Sequence, residues 1–89
     1  MGAKVFIYFC KVHGLEQPIP RHHIASIASC RLLRSVDLEF IREVLPSNDY
    51  KELLSNGETL VTDHNVISRI TCISPNEEVY LRLVLKHDG

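Results

Sequence analysis

The chain is 89 residues long, 45% hydrophobic and 24% charged, with a formal net charge of −1. The length leaves room for one domain, expected over residues 1–89, and the composition excludes a disordered or collagenous chain. The longest apolar run, six residues from Val5 to Cys10, is far short of the roughly 20 that a membrane helix needs.

The start, Met1-Gly2-Ala3-Lys4, has no apolar h-region and no small-residue cleavage site. Phe6 stands where a myristoylation signal wants Ser or Thr. No membrane contact is expected, and a cytoplasmic protein is. The three cysteines, Cys10, Cys30 and Cys72, are odd in number and widely spaced. That pattern fits unpaired thiols in a reducing compartment, each acting as a small apolar residue.

Ala3 to Val12 reads as a strand, because β-branched and aromatic residues dominate it. Val5, Ile7 and Phe9 fall on one face and Phe6, Tyr8 and Cys10 on the other. Both faces are apolar, so the strand is expected to be central and covered on both sides, or to meet a partner with one side. His13-Gly14 ends it. Pro20 then suits the first position of a helix. From Arg21 to about Arg34 the spacing predicts that helix: Ile24, Ile27, Ala28 and Leu32 form an apolar stripe. His22, His23, Ser26, Ser29 and Arg34 lie opposite, and Leu33 projects among them.

Ser35 is expected to cap a second helix, with Asp37 and Glu39 in its first turn. Leu38, Ile41 and Leu45 share its apolar face, and Pro46 stops it. A strand from Val36 to Ile41 is the rival, set aside because the helical spacing continues to Val44 and Leu45. Ser47 is expected to cap a short helix through Leu54, with Asn56-Gly57 as its C-terminal cap. Beyond Glu58 the chemistry turns to β. Thr59 to Thr62 is a short strand and Asp63-His64-Asn65 a turn. Val66 to Ile73 is assigned as a strand on its β-branched content, although Val66, Ile67, Ile70 and Ile73 also fit a helix face. Ser74-Pro75-Asn76-Glu77 signals a type I turn. Val79, Leu81, Leu83 and Leu85 then alternate with Tyr80, Arg82, Val84 and Lys86 in a last strand. The expected fold class is α+β: a small, mostly antiparallel sheet of about four strands in the order β-α-α-β-β-β, with helices packed on one face. Exposed sheet edges would make pairing into a dimer easy.

Chemistry-bearing motifs are sparse. Cys10 and His13 have Cys-x-x-His spacing, but the second close pair of a zinc tetrahedron is missing. Cys30 has no base or oxyanion hole in its sequence neighbourhood, Glu77 and Glu78 diverge, and no glycine-rich phosphate loop exists. No enzyme, cofactor or metal is expected. Charge is more informative. Residues 1–34 carry five basic residues and one acid, net +4; residues 35–63 carry two basic and seven acidic, net −5; the remainder cancels. The near-neutral total therefore conceals a dipolar chain. An acidic block beside a basic one opposes phosphate tracking and suits a protein contact.

The function expected is that of a small regulator binding a larger protein stoichiometrically, in the manner of an adaptor, inhibitor or antirepressor. His22, His23, Leu33 and Arg34 are its first candidate contact residues, and Glu39 and Glu43, one helical turn apart, the second. A homo-oligomer is the other protein arrangement considered. The alternative is a nucleic-acid-binding module using Lys11, Arg21 and Arg34.

Overall fold

The structure, a computed structural model, describes residues 2–12, 28–71 and 79–87. Its elements are β1 (Ala3–Val12), β2 (Ala28–Asp37), α1 (Leu38–Val44), α2 (Ser47–Asn56), β3 (Glu58–Val61), α3 (His64–Thr71) and β4 (Val79–His87). The four strands form one antiparallel sheet in the order β2-β1-β4-β3. The α+β class, the four-stranded antiparallel sheet and the helices on one face are as expected. The element order is not: it runs β-β-α-α-β-α-β.

β1 is central, as its two apolar faces require. Val5 and Ile7 point to the helices and are fully buried. From β4, Leu81 and Leu83 join them, and Val61 enters from β3. Ile41 and Leu45 of the α1 end, Leu53 of α2, and Val66, Ile67 and Ile70 of α3 complete one apolar cluster. Side chains alternate across a strand, so this cluster uses only one face of the sheet.

The first correction concerns residues 28–34, where a helix was expected. They are strand β2, paired with β1 over its whole length. A β-bulge hides the alternation. The register passes from Ile7 opposite Arg34 to Tyr8 opposite Leu32, which leaves Leu33 as the extra residue. An extra residue shifts the phase of the pattern, so the apolar positions of β2 do not keep a period of two, and Leu32 falls four residues after Ala28 as in a helical stripe. The expected residues 21–27 of that helix lie outside the described residues.

β2 continues through Ser35, which pairs with Phe6 and caps nothing. Asp37 takes the N-cap position of α1, but its carboxylate makes no cap bond and instead accepts from Lys4 Nζ at 2.7 Å. Helix α1 ends where Leu45 turns extended (φ −90°, ψ 136°), the conformation that a following proline imposes. Pro46, not Ser47, holds the N-cap position of α2. Gly57 closes α2 in the left-handed conformation at φ 80°, with its N–H donating to the Leu53 carbonyl, as the Asn56-Gly57 pair suggests.

The second correction is α3. Residues 66–71 are helical, not extended. The β-branched residues cost a few tenths of a kcal/mol each in a helix. Burying Val66, Ile67 and Ile70 on one face stabilises by about 1.5–3 kcal/mol each and outweighs that cost. Asp63 starts the helix: its Oδ1 accepts from the backbone N–H of Asn65 (2.8 Å) and of Val66 (3.3 Å), and its carbonyl accepts from Ile67 N–H. The expected residues 72–73 and the turn at residues 74–77 lie outside the described residues.

The third correction concerns the cysteines. Cys10 and Cys30 stand opposite each other on β1 and β2 and are joined by a disulfide. The wide spacing in sequence is closed by strand pairing, which spacing alone does not reveal. Cys30 is exposed, whereas Cys10 is buried.

Candidate functional site

Among the described residues, the helices pack on one face of the sheet and none covers the second. Register fixes what lies on it. Across the strands β2, β1, β4 and β3 the rows read Asp37, Lys4, Lys86; then Ser35, Phe6, Val84, Glu58; then Leu32, Tyr8, Arg82, Leu60; then Cys30, Cys10, Tyr80. Phe6, Tyr8, Leu60, Tyr80 and Val84 are half-buried, and Leu32 keeps 50% of its surface exposed. Among the described residues, the buried side chains of all three helices belong to the opposite face. The bulge is what turns Leu32 to this side, beside Tyr8.

The charges of the face are largely paired. Lys4 binds Asp37 at 2.7 Å and Arg82 binds Glu58 at 2.6 Å. Lys86 lies over the Phe6 ring, 5.0 Å from its centroid, a cation–π contact with the ring face. Both ion pairs are partly exposed, so each contributes at most about 1 kcal/mol to stability. Their larger effect is to neutralise the charge that the face carries, Arg82 lying within the aromatic and aliphatic rows between Tyr8 and Leu60.

Of the residues singled out from sequence, those described do not form one surface. His22 and His23 lie outside the described residues, as does Arg21. Leu33 is half-buried and packs against the core with Phe9 and Val36, so it does not project from a polar helix face. Arg34 opposes Ile7 on the helix-covered side, and its guanidinium donates to the Ile70 carbonyl in the last turns of α3. A cation there is favoured by the helix dipole. Glu39 and Glu43 are exposed on α1. Glu39 lines a cleft of about 320 Å³ with Gly2, Ala3, Asp37, Leu38, Arg42 and Tyr50, where acidic and basic groups are mixed.

The basic first third of the chain is likewise dispersed. Lys4 lies on the open face, whereas Arg31 stacks 5.6 Å from the Phe9 ring centroid on the other. Cys10 has no thiol to offer a metal, and among the described residues no three metal-ligating side chains come together. Also among the described residues, no helix is long and apolar enough to cross a membrane.

Sequence reasoning missed the open face as a unit, although its signal was present. β1 and β4 both carry apolar residues on their two sides, which a surface strand does not need. No protein-family model, curated protein or solved structure matches the chain.

Proposed function

We propose that this chain is a non-enzymatic protein-binding module that docks through the face of its sheet opposite the three described helices. The observation that carries the reading is the continuous patch of Leu32, Tyr8, Phe6, Val84, Leu60 and Tyr80. Aromatic and aliphatic side chains ringed by polar groups are the anatomy of an interface core and rim. The expected regulator, an adaptor or inhibitor acting by stoichiometric binding, is retained as a class, with its contact surface moved from a helix to the sheet. The cytoplasmic expectation rested on the lack of an apolar span and of targeting signals, with three unpaired thiols in support, and two of these thiols are bonded to each other.

Pairing of the charges supports a protein rather than a nucleic acid as the ligand. A phosphate backbone is held by free cations and released by salt. Here Arg82 and Lys4 already have carboxylate partners, and Arg34 is spent on a helix carbonyl.

The test is a double variant, Leu32→Glu with Leu60→Glu, checked for folding by circular dichroism. A protein complex of the unmutated chain should be lost in the variant. A complex that survives the double substitution removes the face from consideration. Retention of the unmutated chain on single-stranded nucleic acid, weakening steeply with salt, would favour the other ligand class.

A further inference from the structure

We infer that the occupant of the open face is a second copy of this chain, packed sheet against sheet about a two-fold axis that runs along β1 and β4. This rests on the docking reading above and names its partner. An isologous interface must be complementary to itself, and the rows of this face have that property. A two-fold axis between β1 and β4 lays β2 over β3 and β1 over β4 of the other copy, and keeps each row over the same row. Leu32 then meets the partner subunit's Leu60, and the Tyr8 ring meets the partner subunit's Arg82. Phe6 meets the partner subunit's Val84. The Ser35 hydroxyl can donate to the carboxylate of the partner subunit's Glu58. The row Leu-Tyr-Arg-Leu and the row Ser-Phe-Val-Glu are each flanked by like characters, which is what the axis needs.

The size reaches the minimum for a biological interface and falls in the range of weak dimers. Strands about 4.8 Å apart and residues about 3.4 Å apart make the face roughly 500 Å² in plan. Two copies together cover about 1,000 Å², the lower bound of a specific interface. Sheets packed in this way lie about 10 Å apart and turned by about 30°, so the rows near the axis align best.

Edge pairing, the other route to a dimer, is opposed. The bulge at Leu33 interrupts the ten-residue edge strand β2, and a two-fold edge pairing that set Arg31 against the partner subunit's Arg34 would bring like charges together. Bulges and charges of this kind protect edges. The other edge, β3, has only four residues. One contact in the face-to-face dimer is unfavourable: Lys4 lies over the partner subunit's Lys86. That contact supplies a test in the opposite direction from disruption.

Sedimentation equilibrium of the oxidised full chain from about 1 μM to about 1 mM reads the association by mass action. A monomer–dimer equilibrium is expected. Leu32→Glu should weaken it at least about tenfold, because the substitution occurs twice in the dimer and each time sets a carboxylate against the apolar side chain of the partner subunit's Leu60. Lys86→Glu should tighten it several-fold by pairing with Lys4 of the other copy, and this variant stands as the test should Leu32→Glu fail to fold. A monomer throughout that range overturns the inference. So does a dimer indifferent to Leu32→Glu in its folded form, or one weakened by Lys86→Glu. A monomeric chain that loses a different bound protein on Leu32→Glu plus Leu60→Glu would overturn the second copy alone and leave the docking face standing.

Discussion

Leu32 and Leu33 are neighbours in sequence and face opposite sides of the sheet, so truncating each in turn measures the bulge. Fully burying a leucine side chain stabilises a fold by about 1.5–3 kcal/mol. Leu33 is half-buried against the core. Leu33→Ala should lose most of that, plus a contribution from the void left behind, for a total of about 2 kcal/mol. Leu32 keeps 50% of its surface in solvent, so Leu32→Ala should cost under about 1 kcal/mol. In a domain of this length 1 kcal/mol moves Tm by roughly 4–8 °C, and the two variants should separate by at least that much. Urea unfolding followed by circular dichroism, at about 1 μM so that association adds little, gives the same comparison through midpoints at a common slope. A helix through residues 28–34 would reverse the order, since its stripe buries Leu32 and exposes Leu33. Equal losses, or a larger loss for Leu32→Ala, would refute the register.

Three further outcomes follow from local geometry. Gly57→Ala should lower stability by about 1 kcal/mol, seen as a drop in Tm, because φ is 80° there even though a Cβ would meet open space; an unchanged Tm would contradict the left-handed cap. Asp63→Ala should cost about 1 kcal/mol and raise amide exchange in the first turn of α3, since two N–H groups lose their acceptor; Asp63→Asn should recover most of it, and equal damage from both would argue against capping. Reducing the Cys10–Cys30 bond, which spans a sequence separation of 20, should cost roughly 3 kcal/mol. Mass spectrometry after alkylation checks the bond itself: labelling of both residues in the denatured, unreduced protein would show that it is absent.

Several elements were legible because local and global preferences agree. In β4, Val79, Leu81 and Leu83 alternate with half-exposed residues, and the burial follows that alternation. Helix α2 ends at Gly57, where a left-handed residue is needed. The failures have physical causes. In β2 one inserted residue breaks the period of two, and Leu32 falls four residues after Ala28, at the spacing of a helical stripe. In α3 the β-branched residues point to a strand, and only burial of Val66, Ile67 and Ile70 decides against it. The open face was half visible. Phe6, Tyr8 and Cys10 were recognisable as one side of β1, but which strands flank them is a matter of long-range pairing. Local patterns carry no record of such pairing, and the disulfide was hidden for the same reason.

The Cys10–Cys30 bond also changes what it means to cut this chain. The bond joins the last part of β1 to the first part of β2, so the backbone between Lys11 and Ser29 is one arm of a covalent ring. A protease that severs that arm releases no fragment. The product is a two-chain molecule with the same composition, increased in mass by one water, whose halves remain tied at the sheet. Separation then requires two chemical events of different kinds, hydrolysis and reduction, in either order.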